Sequence, residues 1–256
     1  MSVMRTDKWL LEAYERPIEL CEKLRELFDG AYASEIYDYL LLHGMYSPST
    51  NGKDRIIKLQ SNQVWGMVQN EAQILQNMWK GPDIPIFIFP SDDSNQTMKI
   101  DFNGKSGLSF KDKLFLFISE QNTEAEIKSL LTHEYNHVCR LNYYPKHEDD
   151  YTLLDTIILE GLAENAVRER FGEEFLSSWT SFYTDKELLK MWKKLIIPNR
   201  SILKTDLKHH NLLYGSPLYP KMAGYSVGYF LVKKHMENND LTSKDLLSAE
   251  PEQYSL

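Results

Sequence analysis

The 256-residue chain predicts an α+β fold, mainly helical, with a small mixed or antiparallel sheet ahead of a helix rich in ionisable groups. Three observations predict it. Apolar residues recur at helical spacing from about residue 7 to 80. Two short β-branched and aromatic runs follow. Helical spacing then returns from Thr123 onward, broken near Pro145, Gly172, Pro198 and Pro217 to Pro220. Helices, strands, then helices is an order that alternating α/β folds do not show.

In the first stretch, Trp9, Leu10 and Tyr14, then Ile18, Leu20, Leu24, Leu27 and Phe28, alternate with charged groups, and turn formers from Pro48 to Gly52 interrupt them. Residues 1–80 therefore read as a helical N-terminal region, and 81–256 as the domain that carries the chemistry. Ile84 to Pro90 is short, aromatic and bounded by prolines, which favours a strand. Gly104 to Gly107 reads as a turn, and Lys113 to Ser119 as a second strand.

A hydrophobic content of 42% suffices for a packed core. The formal charge is −8 and the basic residues are dispersed among acidic ones, which argues against nucleic acid as a partner. Cys21 and Cys139 have no C-x-x-C spacing and read as buried thiols in a reducing compartment. No apolar run approaches the roughly 20 residues of a membrane span, and acidic residues interrupt the N-terminus, so a cytoplasmic location is expected.

The chemistry concentrates between Thr123 and Leu141. Thr123 and Glu126 form an S/T-x-x-E capping box that starts a helix. His133 and His137, one turn apart, can aim two imidazoles at a single cation, and Glu134 is rotated toward the place of a metal-bound water. Neutral imidazoles suit zinc, which lowers its water's pKa to about 7, within reach of a carboxylate base. Ile127, Leu130, Leu131, Val138 and Leu141 form an apolar stripe with Glu134 near its centre. A glutamate there is costly without a cation. The bland alternative is an amphipathic helix whose histidines lie on the surface and whose Glu134 reaches solvent.

A catalytic zinc takes three protein ligands and keeps one position open. Thr152 to Arg168 reads as a second helix, with Thr152 and Asp155 at its start and Gly172 beyond its end. Its apolar face, Leu153, Ile157, Val167 and Phe171, includes Glu160 and Glu164. The simplest joint reading makes Glu160 the third ligand to one zinc per chain and Glu164 a partner of a ligand histidine. Helical spacing alone leaves those two roles interchangeable. Manganese, iron or cobalt would also accept this donor set.

Ile158 to Ala163 resembles the N-E-G-F-A ligand segment of the gluzincin metallopeptidases, which places Glu160 at the ligand position. His133 to Arg140, Leu153 to Glu164 and Ala223 to Tyr229 resemble the YjaZ-like family of predicted zinc-dependent proteases, over roughly residues 60 to 240. The resemblance implies a zincin-like metallohydrolase acting on peptide or protein, with Glu134 as general base. Leu159 stands where the gluzincin segment has asparagine, so contacts made by that asparagine do not carry over. No G-A-M-E-N type segment is present, so aminopeptidase is not favoured.

An oxyanion donor is then expected among the downstream aromatics Tyr214, Tyr219, Tyr225 and Tyr229, with His209 and His210 nearby. Tyr225 is chosen because Ala223-Gly-Tyr-Ser-Val-Gly-Tyr229 has small residues that permit close helix approach. Leu114 to Ile118, just before the metal helix, corresponds to the substrate-pairing edge strand of zincins, or else is an interior support. Two competing readings are a zinc hydrolase of a non-peptide amide and a non-catalytic, metal-stabilised binding or regulatory protein. Against the first, no cysteine ligand closely precedes His133. Against the second, a structural site has no need of Glu134.

Overall fold

The structure, a computed structural model, describes residues 2–96, 103–144 and 146–254. The fold is α+β and mainly helical, and its contacts divide it into two compact units, Met1–Val138 and Cys139–Leu256.

In the first unit, α1 (Thr6–Ala13), α2 (Pro17–Glu22), α3 (Ala33–Leu42), α4 (Gly52–Ser61) and α5 (Val64–Trp79) accompany a four-stranded mixed sheet. Its strands are β1 (Ser2–Val3), β2 (Pro85–Pro90), β3 (Ser106–Ser109) and β4 (Leu114–Ile118), in the order β1-β2-β4-β3. The β1-β2 and β2-β4 pairs are parallel, and β3 runs antiparallel to β4. Every residue of β4 is buried, as continuous apolar strands are when both faces are covered. Phe87 and Phe115 stack at 5.0 Å on one face, with Phe28 5.8 Å from Phe115 and Trp9 6.2 Å from Phe87. Beyond the strand ends, the buried Arg55 of α4 donates to Glu120 at 2.9 Å and to the Ser91 carbonyl at 3.0 Å.

Two expectations about this sheet need correction. Leu114–Ile118 is interior rather than an edge, because an all-apolar strand with open backbone would be exposed where β3 now covers it. The turn expected over 104–107 is confined to Asn103 and Gly104, whose φ angles are 51° and 66°, and Gly107 already pairs with Leu116 in β3.

The sheet leads into α6 (Glu124–Tyr143), which begins at the expected box. The Thr123 N–H donates to the Glu126 carboxylate at 2.7 Å, and the Glu126 N–H donates to the Thr123 hydroxyl at 3.3 Å.

The second unit is built on α7 (Leu153–Phe171), α8 (Asp185–Met191), α9 (Leu207–Tyr214) and α10 (Ala223–Asn239). Thr152 and Asp155 cap α7 reciprocally, and Gly172, at φ 91°, ends it. The Asp155 carboxylate also receives Lys146 at 2.5 Å. Burial works to raise its pKa, but the hydrogen bonds from Lys146 and Thr152 hold it below the usual carboxylate range. Helices α7 and α10 cross backbone to backbone. A Cβ on Gly161 would lie 2.4 Å from the Gly228 carbonyl oxygen, and one on Gly228 only 1.9 Å from that of Ile157. Asn165 braces the crossing by donating to the carbonyls of Gly161 at 2.8 Å and Tyr229 at 3.1 Å. Leu153, Ile157, Leu162, Trp192, Leu212 and Leu231 belong to the surrounding core. Among the described residues no helix is long and apolar enough to cross a membrane.

Gly228→Ala pushes a methyl into a helix backbone that has nowhere to move, so it should destabilise the protein by about 2–3 kcal/mol or more in urea unfolding. Asp155→Asn should cost about 2–3 kcal/mol at neutral pH through the lost ion pair and weakened cap. Because the folded pKa of Asp155 is depressed, that stabilisation is present above the ordinary carboxylate range and fades as the pH falls through the folded value. The gap in unfolding free energy between parent and variant should therefore narrow below about pH 4.

Candidate functional site

Helix α6 carries His133, Glu134 and His137 on consecutive turns. The imidazole centroids of His133 and His137 lie 4.7 Å apart and meet edge to face, at 88°. His133 is half-buried, while His137 and Glu134 are 8% and 7% exposed. Such burial is costly for a carboxylate unless its oxygens are satisfied.

Strand β3 satisfies one of them. Ser109 Oγ lies 2.5 Å from a Glu134 carboxylate oxygen and 2.9 Å from the Glu134 carbonyl oxygen. Gly107, two residues earlier and on the same face of the strand, leaves the slot the side chain occupies. A Cβ there would fall 2.3 Å from Glu134 Cγ and 2.4 Å from Cδ. His43, at the end of α3, also feels the Glu134 charge. Burial lowers the His43 pKa, and Glu134 opposes that shift without overcoming it. The carbonyl of His43 accepts a hydrogen bond from Ser106 of β3 at 2.7 Å.

In the second unit, α7 holds Glu160 half-buried and Glu164 2% exposed. One oxygen of Glu164 accepts the backbone N–H of Ser177 at 2.5 Å. The Tyr225 hydroxyl donates to that of Tyr214 at 3.1 Å. Burial raises the Tyr214 pKa most, the bond from Tyr225 lowers it, and the negative charge of Glu160 adds to the rise. Tyr229 is a core residue near Trp179, its pKa pushed by burial up to about 12. His209 is buried and bonded to Thr156 Oγ1 at 3.0 Å, and His210 is exposed.

His133, His137 and Glu160 form a group that could hold a metal ion, one donor atom of each lying within 4.8 Å of the others. Two imidazoles and a carboxylate suit zinc chemically.

Ser109, Gly107 and His43 escaped the sequence reading. A signal for two of them was present, since Gly107 and Ser109 stand two apart and strand periodicity puts both small side chains on one face.

A family described as "Predicted Zn-dependent protease (DUF2268)" matches residues 64–255. The chain is 41% identical to the uncharacterized protein YjaZ of Bacillus subtilis (strain 168), over 99% of this chain and 98% of that one. It is 28% identical to the uncharacterized protein YjfC of the same organism over 126 residues, 45% of this chain and 42% of that one. No solved structure matches the chain.

Gly107→Val should force Glu134 out of its slot while leaving the two histidines in place. The expected outcome is unchanged metal content by elemental analysis, with a crystal structure showing a displaced Glu134 carboxylate.

Proposed function

We infer the function from a premise about kinship: the chain belongs to the family of predicted Zn-dependent proteases. The proposed activity is hydrolysis of peptide bonds in a peptide or protein substrate, with one zinc per chain on His133, His137 and Glu160. The observation that carries this reading is the convergence of those three donors beside the buried Glu134. Bound there, zinc would supply a Lewis acid and a water acidified to a pKa of about 7.

The chain's own residues supply the rest. Glu134, oriented by Ser109 and seated in the Gly107 slot, takes a proton from the attacking water and returns it to the leaving amine. Tyr225 directs its hydroxyl at Tyr214, which leaves the Tyr214 proton for the oxyanion, so the two tyrosines act as one donor unit. Glu164 is assigned as the partner that orients a ligand histidine. The substrate backbone adds to the outer edge of β3, the terminal strand of the sheet among the described residues and the one that flanks Glu134. This arrangement is of the gluzincin type. The buried thiols Cys21 and Cys139 suit a reducing compartment, and we assign the protein to the cytoplasm.

Elemental analysis of protein purified without a metal-affinity tag tests the reading. The parent should carry about one zinc per chain, and His137→Ala and Glu160→Gln should lose most of it. Glu134→Gln should keep the metal and lose casein cleavage by several orders of magnitude. A parent that binds no metal after incubation with zinc, or a Glu134→Gln variant that cleaves casein at the parental rate, overturns it.

A further inference from the structure

A cavity of about 430 Å³ in the second unit shares only Tyr214 with the chemistry proposed above. Its walls include Tyr151, Thr156, Leu159, His209, Leu213 and Tyr214. Two of these place it beside Glu160. Thr156 and Leu159 precede Glu160 on α7 by four residues and by one, so all three share one side of the helix. Tyr214, on α9, lines the cavity as well.

The lining decides what the cavity can take. Two of its polar groups are engaged with each other: Thr156 Oγ1 donates to the Thr152 carbonyl at 3.0 Å and lies 3.0 Å from His209 Nε2, while the buried Tyr151 hydroxyl has no hydrogen-bond partner among the described residues. At the rim, Lys204 is paired with Glu148 at 3.2 Å. Burial lowers the His209 pKa, which leaves that imidazole neutral near pH 7. Apart from the Tyr151 hydroxyl, what remains to meet a ligand is the apolar surface of Leu159, Leu213, Tyr151 and the Tyr214 ring. The volume lies within the range of small-molecule sites and is ample for one large side chain.

We propose that this cavity is a specificity pocket that receives one bulky apolar side chain, aromatic or leucine-like, of the substrate peptide next to the bond that is cut. The proposal rests on the hydrolase reading for its position beside the scissile bond, while the preference for an apolar side chain follows from the cavity itself. A carboxylate entering it would give up hydration against this apolar surface, and Lys204 at the rim is already shared by Glu148 and Asp149.

Blocked, dye-labelled peptides of glycine and alanine carrying one variable residue test this. Their binding to zinc-incubated Glu134→Gln protein is measured by fluorescence polarisation, and their cleavage by the parent protein by mass spectrometry. Peptides with Phe or Leu should bind roughly ten- to a hundredfold more tightly than those with Ala, Asp or Lys, the gain expected from burying one large apolar side chain. Leu159→Trp, which fills the cavity, and Thr205→Trp, an exposed lining position that narrows its mouth, should each reduce that discrimination to about twofold. Thr205→Trp serves as the control for folding because it touches no buried position. Equal binding of all peptides, no binding of any, or discrimination that survives both substitutions overturns the pocket. Discrimination without cleavage by the parent supports the pocket and removes the hydrolase reading. Cleavage without discrimination does the reverse.

Discussion

Taking a carboxylate out of water costs several kcal/mol, and Glu134 is 7% exposed. Much of the first unit answers that cost. Strand β3 is short and made of Ser-Gly-Leu-Ser because one of its faces must both admit the Glu134 stem and bond its oxygen. Its pairing with β4 sets which residues take that face, since slipping the register by one would present Leu108 to the carboxylate. The helix is held in matching phase by its cap. Glu134 follows Thr123 by 11 residues, about three turns, so the reciprocal bonds at 123 and 126 fix the direction in which Glu134 points.

The second unit meets a different constraint with a related device. Helix α7 is buried almost all the way round, and α10 reaches its backbone only because Gly161 and Gly228 face each other. Backbone contact on that side lets the rest of α7 carry polar residues without loosening the core. Asn165 is consumed in bracing the crossing and one oxygen of Glu164 holds Ser177, whereas Glu160 is half-buried with the cavity nearby. Glycine thus makes room for a side chain in one unit and for a helix in the other.

What was legible in the sequence was local. The capping boxes at Thr123 and Thr152, the stop at Gly172 and the apolar strands β2 and β4 are signalled by residues a few positions apart. The small residues between Ala223 and Tyr229 include Gly228, which packs against the backbone of Ile157 in α7. Strand order is not local, so nothing in Leu114–Ile118 discloses that β3 covers its edge. Gly107 reads as a turn residue in the sequence because glycine signals both a bend and a close packing partner, and only the partner distinguishes them. The single apolar face drawn for α7 was too narrow, since Leu154, Ile158 and Leu162 are buried as well. A helix covered on all sides has no strong period to read.

The same burial bears on the choice between a catalyst and a metal-stabilised binding protein. A structural zinc site closes its coordination with four protein ligands, commonly including cysteine. Among the described residues the group here has three donors, and neither cysteine is among them. A binding protein would also gain nothing from Glu134. Its burial is a cost that the Ser109 bond offsets in part, and an apolar residue at 134 would serve packing better. Gly107 compounds the point, because a glycine within a strand gives up side-chain packing and backbone order for the sake of what it admits. Two separate features of β3 thus bear a cost to keep one carboxylate in place, and proton transfer gives that carboxylate a use that stability does not.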